Sequence, residues 1–507
     1  MQRIEHQNVN VSAGNPRTLN VVLGTWAIMI VTGLIWFFFD DDIANPFREY
    51  YLLPWCFVTA VIACIPPAYL YYKGKFDLFH PLIFASWIYI IPAFVVGGVI
   101  ISFGLSDPYY LSYIQDPQYE LPLTLIYISI GYIGLVVGFA LPIGRKFGQK
   151  IQNTLPKWEW TLKHTWIAGW LLILAGTLVN IIGFVNGLLG FQKFEGVEAF
   201  DGVIMFLLTM FFEGYFLLWY ALFRTPRKDA SYLITFLFLI LMIPLRMAIM
   251  GNRGSIFVCI LPIAFAYVVS GQKVTIKHGF IFGLLMAVGV FIGMIYGTSF
   301  RNIKGMETRL AAGDYIGQIG NTLDYISRKD LSLIMQDGGT ALADRLENLS
   351  SVANVVSNYE KLAPYEKAYG LDNNIVRDAW TSLIPRFLWP EKPLTSDSHA
   401  YSDLYFDYEA NSFAVTLWGD LLRNFGPWGI PIGMALLGIV LRIIHVSLWQ
   451  QSEGHQWRSA AYYLVLTQVS YEAFYATLLP SLMRITLVLI VTLYLANLIT
   501  KRATPSA

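Results

Sequence analysis

Charge is scarce in this chain. Only 14% of its 507 residues are Asp, Glu, Lys or Arg, against 56% hydrophobic ones. That ratio excludes a soluble protein of this length, because too few polar groups remain to cover its surface. A formal net charge of +1 leaves no bulk field to organise binding, and no nucleic-acid partner is expected. Cysteine is scarcer still. Cys56, Cys64 and Cys259 all fall inside apolar stretches, which excludes an external disulfide framework. No Cys/His spacing suggests a structural metal. There is no phosphate-binding P-loop, HExxH helix or dinucleotide fingerprint. No metal and no cofactor is therefore expected.

What the chain has in abundance is long apolar runs. A hydrocarbon core about 30 Å thick needs about 20 apolar residues per helix. Such segments run at 20–39, 50–71, 81–103, 121–143, 162–182, 202–223, 231–250, 255–270, 280–298, 426–448, 459–479 and 485–499. The first has no small-residue cleavage site after it and reads as a retained helix. The expected fold is an all-α polytopic membrane protein with about 12 transmembrane helices. It divides into an N-terminal bundle of about nine spans (1–298), a helical external loop (299–411) and about three final spans (412–507).

Short loops on one side carry 18 basic residues, among them Arg145, Lys146, Lys150, Lys157 and Lys163. Those on the other side carry five: Arg48, Lys193, Arg246, Arg253 and Arg484. The positive-inside rule then puts both termini in the cytoplasm and the long loop outside.

That loop has internal pattern. Helical spacing runs over 315–335 and 346–359, with Leu346, Leu349, Val352 and Val356 on one face. The segment 375–389 carries Ile375, Val376, Trp380, Leu383, Ile384, Phe387, Leu388 and Trp389, a load suited to the headgroup boundary. Pro385, Pro390 and Pro393 punctuate its end. Eleven bases between Arg301 and Lys392 face sixteen acids between Glu307 and Glu409, so the loop is no general basic funnel. An anion site has to come from a few arginines converging locally.

Arg246 stands out, two residues after Pro244 in the outer half of a span. A charge at that depth faces a cavity or a partner. It either pairs with Glu213 in the preceding helix or presents a guanidinium to a phosphate. Arg253 follows in Gly251-Asn252-Arg253-Gly254-Ser255, a tight turn whose next helix offers unpaired N–H groups. Arg301, Arg309, Arg345, Arg377 and Arg386 are the remaining candidate cations, each alone equally suited to an ordinary surface role. His399 is the one histidine of seven on the outer side and a candidate general base. Glu472 is the alternative base, unless it simply pairs with Arg484 across the hairpin. Asp420 and Arg423, three apart, share a helical face. Asp40, Asp41 and Asp42 suit an outside helix flank. Gly134/Gly138 and Gly429/Gly433 are small-residue pairs that suit close helix packing.

The layout resembles the Wzy-type polymerases of O-antigen and exopolysaccharide repeat units. The resemblance rests on the dozen spans, the large loop before the last three, Gly251-Asn252-Arg253-Gly254-Ser255, Ile384-Pro385-Arg386-Phe387-Leu388-Trp389-Pro390-Glu391-Lys392-Pro393, and Gly419-Asp420-Leu421-Leu422-Arg423-Asn424-Phe425-Gly426. Arg309 to Gly320 and Arg328 to Gly339 share a spacing found in external loops of some members. The earlier loop, 185–201, departs from members with two arginine-bearing loops, having only Lys193 among acids. The resemblance implies a GT-C-like membrane glycosyltransferase in the bacterial cytoplasmic membrane. Its substrate would be an undecaprenyl-diphosphate-linked oligosaccharide, with a flippase and a chain-length regulator as functional partners. Arg246, Arg253 and several of the loop arginines would stabilise the departing diphosphate, while His399 or Glu472 accepts the acceptor hydroxyl's proton. An O-antigen-ligase-like transferase needs the same diphosphate site. A transporter of lipid-linked oligosaccharide would instead show repeat symmetry and midplane charges.

Overall fold

The computed structural model describes residues 49–503 apart from 106–110, 187, 190–199, 227, 251–253, 273–274, 305–313, 383, 385, 394–395, 409–412, 414 and 451–454. The first expected span (20–39), the Asp40, Asp41 and Asp42 run, Arg253 and Arg309 lie outside the described residues. Among those described, every regular element is helical and there is no strand. Nine helices there are long and apolar enough to cross a membrane.

In chain order the long helices are α1 (Tyr50–Tyr72), α2 (Pro81–Ser102) and α3 (Pro117–Ala140). The short α4 (Pro142–Thr154) follows. Next come α5 (Leu162–Val185), α6 (Asp201–Arg224), α7 (Ala230–Met250), α8 (Gly254–Val269) and α9 (Ile276–Lys304). An intervening region holds α10 (Asp314–Arg328), α11 (Leu331–Leu346), α12 (Leu349–Glu366), α13 (Asn374–Thr381) and α14 (Ser398–Phe406). The chain closes with α15 (Thr416–Phe425), α16 (Gly429–Trp449), α17 (Gln456–Thr467) and α18 (Tyr475–Ala503).

Local chemistry explains the helix starts. Asp116 accepts the Tyr119 N–H at 3.3 Å ahead of Pro117, so α3 opens with a side-chain cap and a proline where no donor is needed. Thr161 and His164 bond reciprocally at the head of α5. The most extensive helix pair is α3 against α16. Its close approach needs glycine: a Cβ on Gly138 would collide with the Ala435 carbonyl, and one on Gly438 with that of Leu135. The Gly134/Gly138 packing role is thus met on α16, whereas Gly429 and Gly433 face Leu421 of α15.

Beyond the run 315–335, which breaks at Lys329 and Asp330 between α10 and α11, three expected elements are interrupted. The segment 459–479 is not one helix. α17 ends at Thr467 and residues 468–474 run without regular structure before α18 begins. The unwound backbone finds partners: Leu417 N–H donates to Tyr471 O and Thr416 N–H to Glu472 O, each at 3.2 Å. Irregular backbone among apolar helices persists only where such partners exist. The second break divides α6 at Leu208 and Thr209. The third is in the run 346–359, which breaks at Glu347 and Asn348, so Leu346 ends α11 while Leu349 and Val352 are buried in α12. Asn348 N–H donates to Ala93 O at 3.1 Å. That carbonyl lies in the π-helical turn of α2 over Ala85–Val96, around Pro92, where the normal bonding register is lost. The α11–α12 junction is thereby stitched into α2.

Candidate functional site

The region from α10 to α14 meets α18 through α13. This helix has an apolar exposed side, Val376 and Trp380, and a buried polar one. Asp378 is fully buried. It accepts Arg377 Nε at 3.0 Å, Ser396 N at 2.8 Å and Ser396 Oγ at 2.7 Å. Arg377 also donates to Gly370 O at 2.7 Å, so this arginine is neutralised locally. One turn on, the buried hydroxyls of Thr381 and Ser382 have no hydrogen-bond partner among the described residues, nor does Arg377 Nη2.

The chain then turns through the proline-rich segment and returns Lys392 to the same place. Lys392 is buried and donates to Ile384 O at 3.0 Å. Burial first, and then Arg484 and Arg386, push its ammonium pKa down. Arg386 donates to Pro390 O at 3.2 Å and Pro393 O at 3.3 Å, holding the turn closed. Arg484, two and a half turns into α18, lies over the Phe206 ring at 5.6 Å. Among the described residues, Lys392, Arg386 and Arg484 form no salt bridge, and Asp378, the acid that acts on Lys392, is committed to Arg377. Around them Phe387 stacks on Phe200 at 5.7 Å and Trp380 on Trp389 at 5.8 Å, leaving Leu388 and Phe387 exposed. The arrangement is a small group of unneutralised cations under an apolar rim.

Arg246 meets the same broken helix beyond the break. Its guanidinium lies over Phe212 at 4.6 Å and Phe211 at 5.3 Å, and donates to Asn180 at 3.2 Å. Phe206 and Phe212 are six residues apart, about 9 Å along a helix. Arg246 and Arg484 thus flank the α6 break. The expected alternative, an Arg246–Glu213 pair, does not form. Glu213 is buried and accepts the Thr492 hydroxyl at 2.8 Å.

Glu472 and Arg345 form a second group. The expected Glu472–Arg484 pair is replaced by Arg345 Nη2 donating to Glu472 Oε2 at 2.7 Å, because the unwound segment turns Glu472 toward α11. Arg301, at the end of α9, is within electrostatic reach of Arg345. Tyr89 stacks on Tyr471 at 5.5 Å, and its buried hydroxyl has no partner among the described residues. The pair's setting is strained: Thr416, whose N–H holds Glu472 O, has φ +62°. A β-branched residue adopts that left-handed conformation only under constraint. His399 lies in the first turn of α14, a helix packed on α12 with Tyr401 against Phe474.

The structure thus splits the candidates. Arg377 and Arg386 join one group, Arg345, Arg301 and Glu472 another, with Arg246 at the α6 break. Lys392 and Arg484 were the members that pattern reading did not single out. The signal for Arg484 was its lone charge in an apolar span. For Lys392 it was a cation between two prolines in the 384–393 motif.

Over residues 127–447 the sequence matches a family described as Domain of unknown function (DUF8712). The chain belongs to that family. The matched stretch contains Lys392 and Arg386, while Glu472 and Arg484 lie beyond it. No curated protein and no solved structure matches this chain.

Proposed function

We propose that this member of the family is a polytopic membrane enzyme of the Wzy type, with about 12 spans in a GT-C-like arrangement. It polymerises undecaprenyl-diphosphate-linked repeat units at the outer face of the bacterial cytoplasmic membrane. The observation that carries this reading is the group of Lys392, Arg386 and Arg484, buried or half-buried and without an acid partner among the described residues. Unneutralised cations in a low-dielectric setting are costly unless an anion completes them. The unpartnered Thr381 and Ser382 hydroxyls supply further donors, and the exposed Val376, Trp380, Phe387 and Leu388 suit the acyl and headgroup boundary. A diphosphate on a lipid carries the charge and the tail that such a site accepts.

In the reaction, the acceptor hydroxyl oxygen attacks the anomeric carbon of the lipid-linked donor. The bond from that carbon to the diphosphate oxygen breaks, and the electron pair leaves with undecaprenyl diphosphate. Guanidinium and ammonium groups already in place stabilise the developing negative charge. Glu472, released from Arg345, accepts the hydroxyl proton.

The test is a lipid-linked oligosaccharide profile from a deletion strain complemented with Arg484→Ala, Lys392→Ala or Arg246→Ala. The expected result is loss of long polymer by roughly 100-fold or more, with single repeat units remaining on the lipid. Normal chain length in Arg484→Ala and Lys392→Ala overturns the reading. Polymer that is made but never transferred identifies a ligase instead, and units left on the cytoplasmic side identify a transporter.

A further inference from the structure

At the opposite end of α3 from Asp116, Leu141 and Pro142 turn the chain into α4. From 141 to 158 there is no acid, while Arg145, Lys146, Lys150 and Lys157 are all present. One side of α4 is closed: a Cβ on Gly144 would lie 2.9 Å from Arg442 Cβ, and one on Gly148 2.7 Å from Val446 Cβ, both on α16. At about 100° per residue the other sides follow. Lys146 and Lys150 fall opposite the glycine face, one turn apart. Ile143, Phe147 and Ile151 form a stripe midway between the glycines and the lysines, and are 40% to 53% exposed. Arg145 falls on the remaining flank, within electrostatic reach of Arg442. No salt bridge to any of these four cations exists among the described residues.

We propose that α4 is a docking face for anionic phospholipid headgroups of the surrounding bilayer. The apolar stripe enters the acyl region while Lys146, Lys150 and Arg145 meet the phosphodiesters, the disposition of an interfacial helix. Charge complementarity selects this occupant. A zwitterionic surface offers no net charge to a segment with several cations and no acid, whereas each base near an anionic surface strengthens the association about fivefold. An acidic protein partner would leave Ile143, Phe147 and Ile151 without a cover. The inference rests on the helices crossing a bilayer and not on the glycan chemistry, so either can fail alone.

The experiment uses the full chain reconstituted with spin-labelled phosphatidylglycerol or phosphatidylcholine, reading the fraction of each immobilised by the protein. The wild type is expected to prefer phosphatidylglycerol, and raising the salt from about 0.05 to about 0.5 M is expected to erode that preference. The R145Q/K146Q/K150Q variant should lose roughly tenfold of the selectivity ratio, whereas K361Q/K367Q, on and beside α12, should retain it. Equal immobilisation of the two lipids by the wild type, or a preference indifferent to salt, overturns the proposal whether or not the triple variant folds. So does a triple variant with the wild-type ratio.

Discussion

Arg423 and Arg484 both sit where the region from α10 to α14 meets the long helices, and their surroundings are opposite. Arg423, on α15, has a fully buried side chain whose two terminal nitrogens are both engaged and whose charge is matched by acids, only its Nε lacking a partner among the described residues. It pairs with Asp420 at 2.7 Å and Glu366 at 3.0 Å, and donates to Leu371 O and Asn374 Oδ1 at 2.8 Å each. Burial alone would lower its pKa, yet Asp420 and Glu366 outweigh burial and raise it. Asp420 also accepts the Ala476 N–H at 3.0 Å, so this network ties α12, α13, α15 and the head of α18 together. Arg484, two turns further along α18, has an aromatic ring and no acid among the described residues. A protein that neutralises one buried guanidinium so fully and leaves a neighbouring cation group open has used the first for architecture. On the proposed function, the second is left to an anion.

The largest expected effect tests the closed network. Arg423→Ala strands Asp420 and Glu366 in an apolar interior, which costs about 3–5 kcal/mol. A thermal melt of the detergent-solubilised protein should fall accordingly, and Arg423→Lys should recover only part because it cannot hold both carboxylates at once. Arg484→Ala removes one of several like charges, and its loss of the Phe206 contact is worth about 1 kcal/mol. If Arg484→Ala melts as low as Arg423→Ala, the distinction between a closed and an open site is wrong.

Much of this contrast was partly legible in the residues. Asp420 and Arg423, three apart on a helix, announce their own pair, and the 375–389 segment announces a helix and turn with an exposed apolar side by its aromatic load. The glycines of α3 announce close packing, though not that Gly429 and Gly433 serve α15. Pairings across long separations were not legible. Glu472 bonds Arg345 across 127 residues rather than Arg484 across 12, because the chain unwinds at Gln468, and no residue pattern in an apolar run marks where a helix stops. The Arg246–Glu213 pair failed for a similar reason, since Thr492 of α18 reaches Glu213 first. Lys392 was visible as a cation, but only the fold brings it beneath Arg386 and beside Arg484.

A second way to sharpen the comparison lies at Glu347, a buried carboxyl between the two extremes. It is hydrogen-bonded by the N–H of Ser350 at 2.7 Å and by the Ser350 hydroxyl, with no cation paired to it among the described residues. Burial pushes its pKa from 4.5 up to about 7. The folded state therefore holds this proton more tightly than the unfolded chain. The resulting stability is complete below about 4.5 and is lost as pH rises to about 7. Glu347→Gln should remove that slope, so the variant gains on the wild type between those limits by up to about 3 kcal/mol. A melting-temperature difference that stays flat with pH would mean Glu347 is already ionised, and the α11–α12 junction wetter than its burial indicates.

The smallest effect tests the Arg345–Glu472 pair. Arg345 is 66% exposed and Glu472 32%. Solvent screens such a pair, and a double-mutant cycle of Arg345→Ala and Glu472→Gln should give a coupling of about 0.2–1 kcal/mol in stability. Activity should separate the two residues far more. If Glu472 accepts the acceptor's proton, Glu472→Gln lowers turnover with little change in apparent substrate affinity, and Arg345→Ala, which leaves the carboxylate in place, keeps most of the turnover. A pair whose role was only to pin the unwound segment to α11 would instead show equal losses of turnover in both variants, and that result would move the proton acceptor elsewhere.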